Sequence, residues 1–193
     1  MGQLHDPIAL FISSLERARA GETDATAVAL ASSDLDGRPS VRMVLLKHVD
    51  AAGFVFYTNF ESRKATELDS NPNAALCFYW PSIGEQIRVE GTVERVPEAE
   101  SDAYFASRGR GSRLGAWASR QSRPLETRFA LLRRYAELQA RYIGKSIPRP
   151  GFWGGYRLSP RRVEVWSTRP HRLHERIVYT KEHDEWKLQR LYP

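Results

Sequence analysis

Strand-like runs recur along this chain at short intervals, many of them adjacent with no helix between, and this constrains the fold more than any other feature. Thr26 to Ser33 and Ser40 to His48 flank the turn signal Asp36-Gly37 and predict a hairpin. Gly53 to Thr58, Ala74 to Trp80 and Gln86 to Val96 read as three further strands. The last third contributes Trp153 to Leu158, Arg162 to Ser167, Glu175 to Thr180 and Trp186 to Leu191. Helical spacing is confined to separate blocks. Asp6-Pro7 is an N-cap followed by proline at the first helical position, and Ile8, Phe11, Ile12 and Leu15 then recur at helical intervals up to Gly21. A short helix is predicted from Ser62 to about Asp69, and another is opened by Pro97 and ended by Gly109 and Gly111. A long helix is predicted from Pro124 to Tyr142, capped by Ser122, with Leu125, Phe129, Leu132, Leu138 and Tyr142 as its apolar stripe. The fold class is therefore mainly β with α (α+β): a closed or partly closed antiparallel barrel with peripheral helices. A length of 193 residues at 41% hydrophobic content suffices for one domain spanning 1–193.

The charge balance, 29 Lys plus Arg against 23 Asp plus Glu, permits nucleic acid, a membrane surface or small phosphorylated ligands as partners. The arginines are spread through the chain and no recognised nucleic-acid motif occurs, which disfavours the first of these. A single cysteine, Cys77, excludes an internal disulfide and any multi-cysteine metal site. Its apolar flanks predict an inert buried thiol, in a reducing compartment. No signal peptide or membrane-length apolar run is present, so a cytoplasmic location is expected. The 5 histidines lack metal-ligand spacing, and no metal is expected. Gly109 to Gly115 is not a dinucleotide fingerprint, because Leu114 stands where the third glycine is needed.

Several patterns point to anions, each with a plainer reading beside it. Arg42 and Lys47 bracket Met43-Val44-Leu45-Leu46, which composition alone reads as a core strand with solvated flanks. An ideal strand aims positions 42 and 47 at opposite faces, so one site uses both only if the strand bends or a dimer interface contributes. Ser62-Arg63-Lys64 follows Tyr57-Thr58 at the start of a helix, where free N–H groups and two cations could cradle a phosphate. Ser62 as an ordinary N-cap explains the same residues equally well. Tyr104 and Arg108 share a helix face by their spacing, and with Ser112 they could donate to one phosphate. Gln86 and Gln121-Ser122 read as solvated amides and a cap, and Trp166 as core. In His171-Arg172-Leu173-His174-Glu175-Arg176, strand alternation would place Arg172, His174 and Arg176 on one side of a sheet.

Taken together, in this order and spacing, these residues resemble the pyridoxine/pyridoxamine 5'-phosphate oxidases, FMN enzymes of the split-barrel type. The likeness runs from about Asp6 to Pro193 and includes Phe152-Trp153-Gly154-Gly155-Tyr156-Arg157 and the closing Arg190-Leu191-Tyr192-Pro193. It implies an FMN-binding split barrel and a homodimer with flavin sites at the interface. FMN contacts are implied for Arg42 through Lys47, that is Arg42, Met43, Val44, Leu45, Leu46 and Lys47, and for Tyr57 and Thr58. Arg63 and Lys64 are implied on its phosphate, with Gln86, Gln121, Ser122, Trp166 and Arg176 elsewhere on the cofactor. Lys47, Tyr104, Arg108 and Ser112 are implied to hold the substrate phosphate, and Arg172, Leu173 and His174 the rest of the substrate. Arg172 and His174 are the implied catalytic pair, His174 as a candidate proton acceptor. The implied reaction is oxidation of pyridoxine or pyridoxamine 5'-phosphate to pyridoxal 5'-phosphate, with O2 as acceptor and H2O2 as product. A related flavin oxidase of the phenazine-pathway type is the nearest alternative. Lys47 and the Tyr104, Arg108, Ser112 set argue against it, since a phenazine precursor has no phosphate to bind. A non-catalytic flavin- or nucleic-acid-binding barrel is the alternative from a different class. The family's basic, tyrosine-bearing arm before the first helix is not expected here, because only five residues precede Asp6.

Overall fold

The computed structural model describes residues 6–183 and 185–193, so the segment ahead of Asp6 lies outside the described residues. The opening helix α1 (Pro7–Ala18) begins as predicted: Asp6 Oδ1 accepts from the Ile8 N–H at 2.8 Å, and Pro7 occupies the first turn, where a missing N–H is harmless. Its buried face carries Ile8, Phe11 and Leu15. Phe11 meets Phe54 and Phe78 edge-on, with ring centroids 4.8 Å apart in both pairs, so α1 packs against the barrel core.

The strands are β1 (Ala27–Ser33), β2 (Pro39–Asp50), β3 (Gly53–Asn59), β4 (Asn73–Trp80), β5 (Glu85–Arg95), β6 (Trp153–Ser167), β7 (Glu175–Glu182) and β8 (Glu185–Leu191). They form one antiparallel sheet in the order β3-β2-β1-β4-β5-β6-β7-β8, and a further pairing of β3 with β6 closes the first six into a barrel. The split lies within β6. Its first half pairs with β3 and β5 to close the barrel, whereas Arg162 to Ser167 pair with β5 and β7 and carry the β7-β8 hairpin outward. The two runs expected here as separate strands are therefore one. Proline lacks the N–H that a regular ladder needs, so Pro160 reads as a break; the sheet absorbs it by a register shift opposite, between Glu90 and Gly91. A Cβ on Gly91 would sit 2.0 Å from the Ser159 carbonyl oxygen, so only glycine fits.

The remaining helices are α2 (Arg63–Ser70), α3 (Glu98–Ser107), α4 (Arg110–Ala118) and α5 (Arg128–Arg141). Gly109 and Gly111 do not end a helix: α3 stops at Ser107, Arg108 is extended, and Gly109 caps α4, which contains Gly111. Tyr104 and Arg108 thus do not share a helix face. Nor does the long helix begin at Pro124 under a Ser122 cap. Thr127 is the cap, its hydroxyl accepting from the Ala130 N–H at 3.2 Å. Ser122 instead takes a left-handed φ of 69° and accepts from the Arg63 N–H at 3.2 Å, satisfying a free donor at the start of α2. Of the expected stripe, Leu138 and Tyr142 pack on the smaller core of Phe105, Leu114, Ile147 and Trp153, while Leu125, Phe129 and Leu132 are exposed.

Register also defines an outer sheet face. One row runs Met43, Ala29, Cys77, Arg88, Glu164 across β2, β1, β4, β5 and β6. A parallel row on the same face runs Tyr79, Gln86, Trp166, Arg176. Val41, Met43 and Tyr79 on this face are 69%, 63% and 60% exposed, and Ala27, Ala29, Ala31 and Ala75 keep it low.

Candidate active site

A cavity of about 510 Å³ opens between the rim of the barrel and the α3–α4 block. From β2 it takes Met43, Val44, Leu45 and Lys47; the register shift between Leu46 and His48 supplies the bend that lets the strand end contribute. β3 adds Tyr57, Thr58 and Asn59, and α2 adds Lys64. Tyr104, Arg108, Ser112 and Gln121 come from the helical block, together with Trp153 from the start of β6. Leu46 does not line it: its side chain is 4% exposed and belongs to the barrel core.

Lys64 is buried, and its Nζ donates to Thr58 Oγ1 at 3.1 Å, Ser62 Oγ at 3.2 Å and the Gln121 Oε1 at 3.3 Å. All three acceptors are neutral. Burial, and next the neighbouring Arg42 charge, bring the lysine down to about 8 despite the opposing pull of Glu67. A desolvated ammonium held only by neutral oxygens is a site that favours an added anion.

Aromatic rings line the same cavity. Tyr57 stacks on Tyr104 with centroids 4.0 Å apart and on Trp153 at 5.3 Å. Arg108 lies 4.7 Å above the Trp153 ring, and its Nη1 is buried with no hydrogen-bond partner. Desolvation by that burial lowers the Arg108 pKa. An orphaned guanidinium N–H at a cavity wall fits a second anion, with Ser112 in the first turn of α4 beside it. Trp153 was not singled out from the sequence as a site residue. Its only signal was membership of the Phe152 to Arg157 motif.

Arg42 does not line the cavity. Its guanidinium donates to the Leu30 carbonyl, Ser32, Ser40 and Glu67, which uses four of its five N–H bonds inside the chain. Arg63 and Ser122 do not line it either: Arg63 Nε donates to Glu67 at 2.8 Å, and Ser122 Oγ accepts from the Arg63 N–H.

Gln86, Trp166, Arg172, Leu173, His174 and Arg176 are not brought to this cavity within one chain. Arg172, His174 and Arg176 do not share a strand face either, because β7 begins only at Glu175. His171 and Arg172 have left-handed φ values of 58° and 61°, which non-glycine residues adopt at a cost of about 1–3 kcal/mol. This tight turn projects Arg172 and Leu173 into solvent. His174 accepts from the Arg169 N–H through Nδ1 at 3.2 Å and packs on Trp166 with centroids 4.5 Å apart. A neutral ring held this way carries its proton on Nε2. Arg176 donates to Glu164, a carboxylate 2% exposed that also accepts from Arg88 and Arg162. Burial would raise the Glu164 pKa, but the bonds from Arg176 and Arg88 prevail and lower it.

A closed antiparallel barrel with an extended outer hairpin, and with a cation-lined cavity beside it, defines the split-barrel class of folds. Residues 14–142 match the family model described as pyridoxamine 5'-phosphate oxidase, and residues 153–193 match the pyridoxine 5'-phosphate oxidase C-terminal dimerisation region. The chain belongs to the pyridoxine/pyridoxamine 5'-phosphate oxidase family. A relative from Anaeromyxobacter dehalogenans with that enzyme name is 57% identical over 189 residues, spanning 97% of this chain and 96% of its own. Among solved structures, PhzG from Burkholderia lata 383 in complex with tetrahydrophenazine-1-carboxylic acid superposes with a TM-score of 0.93 at 35% identity, covering 98% of this chain and 93% of that one. A pyridoxamine 5'-phosphate oxidase-related, FMN binding protein from Nostoc punctiforme shares the fold, with a TM-score of 0.79 at 19% identity over 97% of this chain and 98% of its own.

Proposed function

We propose that the protein oxidises pyridoxine 5'-phosphate or pyridoxamine 5'-phosphate to pyridoxal 5'-phosphate, using FMN as cofactor and O2 as final acceptor. The observation that carries this reading is that one cavity is lined by two separate anion-seeking cations, the buried Lys64 and Arg108 with its buried, unpartnered Nη1. Cofactor and substrate each bring one phosphate. The phenazine-type reading supplies no second phosphate for Arg108.

FMN, when bound, supplies the two-electron acceptor that O2 regenerates with release of H2O2. Lys64 and Arg63 would hold its phosphate end; Thr58, Gln121 and Ser122, which the resemblance spreads along the cofactor, stand beside these two cations, and Met43, Val44 and Leu45 would face its apolar part. Lys47, Tyr104, Arg108 and Ser112 hold the substrate phosphate, which fixes the rest of the substrate by orientation. In the tautomer that the Arg169 N–H selects, His174 Nε2–H would donate a hydrogen bond to the substrate and is not itself a free proton acceptor, and Arg172 is the adjacent cation.

The working unit is a homodimer. The outer sheet face carries Gln86, Trp166 and Arg176 in the same surface as Met43 and Leu45, and a two-fold packing of this face on itself would bring one protomer's Trp166, Arg172 and His174 to its partner's cavity. We place the reaction in the cytoplasm, where the lone thiol of Cys77 needs no disulfide partner.

The test is direct. Heat-released cofactor should run as FMN on chromatography, and the protein should generate H2O2 with pyridoxine 5'-phosphate but far less with unphosphorylated pyridoxine. FAD, no flavin after reconstitution, or equal rates on both substrates would overturn the reading. A pH dependence also follows from Lys64. Its ammonium attracts a phosphate dianion only while protonated, so FMN affinity should fall as pH rises through about 8, by at most about tenfold per unit. Titration of apo-protein at pH 7 and pH 9 measures this, with Lys64→Met as the variant in which the drop disappears; a flat wild-type profile contradicts it.

A further inference from the structure

The carboxylate of Glu67 on α2 lies behind the expected cofactor-phosphate site and does not line the cavity. It is 5% exposed, and its donors come from three elements. Oε1 accepts from Arg63 Nε at 2.8 Å; Oε2 accepts from Ser32 Oγ on β1 at 2.6 Å, from Ser40 Oγ on β2, and from Arg42 Nη2 at 3.1 Å. Burial alone would raise this carboxyl, but the bonds from Ser32, Ser40, Arg63 and Arg42 outweigh it and bring it to about 2. It is therefore a fixed negative charge at working pH. Standing next to an anion site, such a charge opposes phosphate binding by simple Coulomb repulsion.

We propose that Glu67 is a positioning residue for the FMN phosphate: it grips Arg63 by Nε and ties down Arg42, so that the outer edge of the Arg63 fork is presented to the phosphate while Glu67 itself stays off the ligand. This rests on the FMN reading above and adds to it a residue with no expected contact to cofactor or substrate. Arg63 is the member of the set that most needs holding, since its side chain is 67% exposed. A long exposed side chain loses rotamer freedom when it binds, and one bond to an immobile carboxylate removes part of that loss in advance. Gripping through Nε leaves both terminal nitrogens of Arg63 available for paired bonds to phosphate oxygens. Neutralising Arg42 matters as well, because an uncompensated guanidinium there would repel Lys64.

Repulsion and positioning predict opposite signs, which makes the idea testable by binding alone. Apo-protein is titrated with FMN and with riboflavin, which lacks the phosphate, by quenching of flavin fluorescence. Glu67→Gln should weaken FMN about tenfold or more, the loss of one charge-assisted bond, and leave riboflavin unchanged. Combined with Arg63→Met it should add less than its single effect, because both act through the same guanidinium. Glu67→Asp keeps the charge but shortens the reach, and should also weaken FMN selectively; it serves if Glu67→Gln fails to fold. Glu67→Gln binding FMN as tightly as wild type or more tightly, parallel loss of riboflavin, or full additivity with Arg63→Met would each overturn the positioning role. A wild-type protein that does not distinguish FMN from riboflavin would instead overturn the phosphate site, and the proposal with it.

Discussion

Two variants that are each nearly inactive, Lys64→Met and Arg172→Ala, should restore activity when combined in one dimer. Lys64 lies in the cavity of its own chain, whereas Arg172 lies on the tight turn before β7, away from that cavity. If the turn serves the partner's cavity, a heterodimer has one site with both residues intact and one site lacking both. The expected activity is about half that of wild type, because one of two symmetric sites works. Coexpression with two different affinity tags isolates the heterodimer, and H2O2 release with pyridoxine 5'-phosphate reads it. A heterodimer no more active than its parents would mean that each cavity uses its own chain's turn, in which case neither site in the mixture is whole.

Arg108→Ala should raise the KM for pyridoxine 5'-phosphate roughly ten- to hundredfold, the loss of one charged hydrogen bond worth about 1.5–3 kcal/mol, while the protein stays yellow. The guanidinium is held over Trp153 and Phe105 with Nη1 unpartnered, so what it offers is directed at a ligand and not at the fold. Arg108→Lys should recover little of this, since an ammonium does not stack on Trp153 as a planar guanidinium does. Steady-state kinetics on the two variants, with flavin content measured in parallel, is the check. An unchanged KM in Arg108→Ala removes the substrate-phosphate assignment.

Much of the barrel and one half of the site were legible because local chemistry carried them. Asp6-Pro7 at the start of α1, Asp36-Gly37 between β1 and β2, and Ser62 ahead of α2 are signals confined to a few residues, and each element begins close to where its signal stands. Met43, Lys47, Thr58, Lys64, Tyr104 and Arg108 were recognised as motif residues, and the fold collects all of them around one cavity. Other features could not be read this way. A glutamate in a helix or strand reads as solvated, so nothing marked Glu67 or Glu164 as buried anchors for Arg42, Arg63 and Arg176. Ser122 looked like the cap of the helix that follows it, and the donor it satisfies is on α2 instead.

The opening helix α1, the β1–β2 hairpin, the start of α2, the absence of a disulfide framework and the identity of the cation-bearing motifs follow from residue type and spacing alone, because these depend on interactions within a few residues. Tertiary structure alone decided that β6 is one strand serving both barrel and hairpin, and that Arg172 sits on a strained turn with His174 just after it. It also decided that Arg42 faces Glu67, and that Gln86, Trp166 and Arg176 share an outer face with Met43. Each of these depends on register between strands distant in sequence and on which buried charges find one another. Those are properties of the closed sheet as a whole, set by pairing and desolvation, and no local window of the chain contains them.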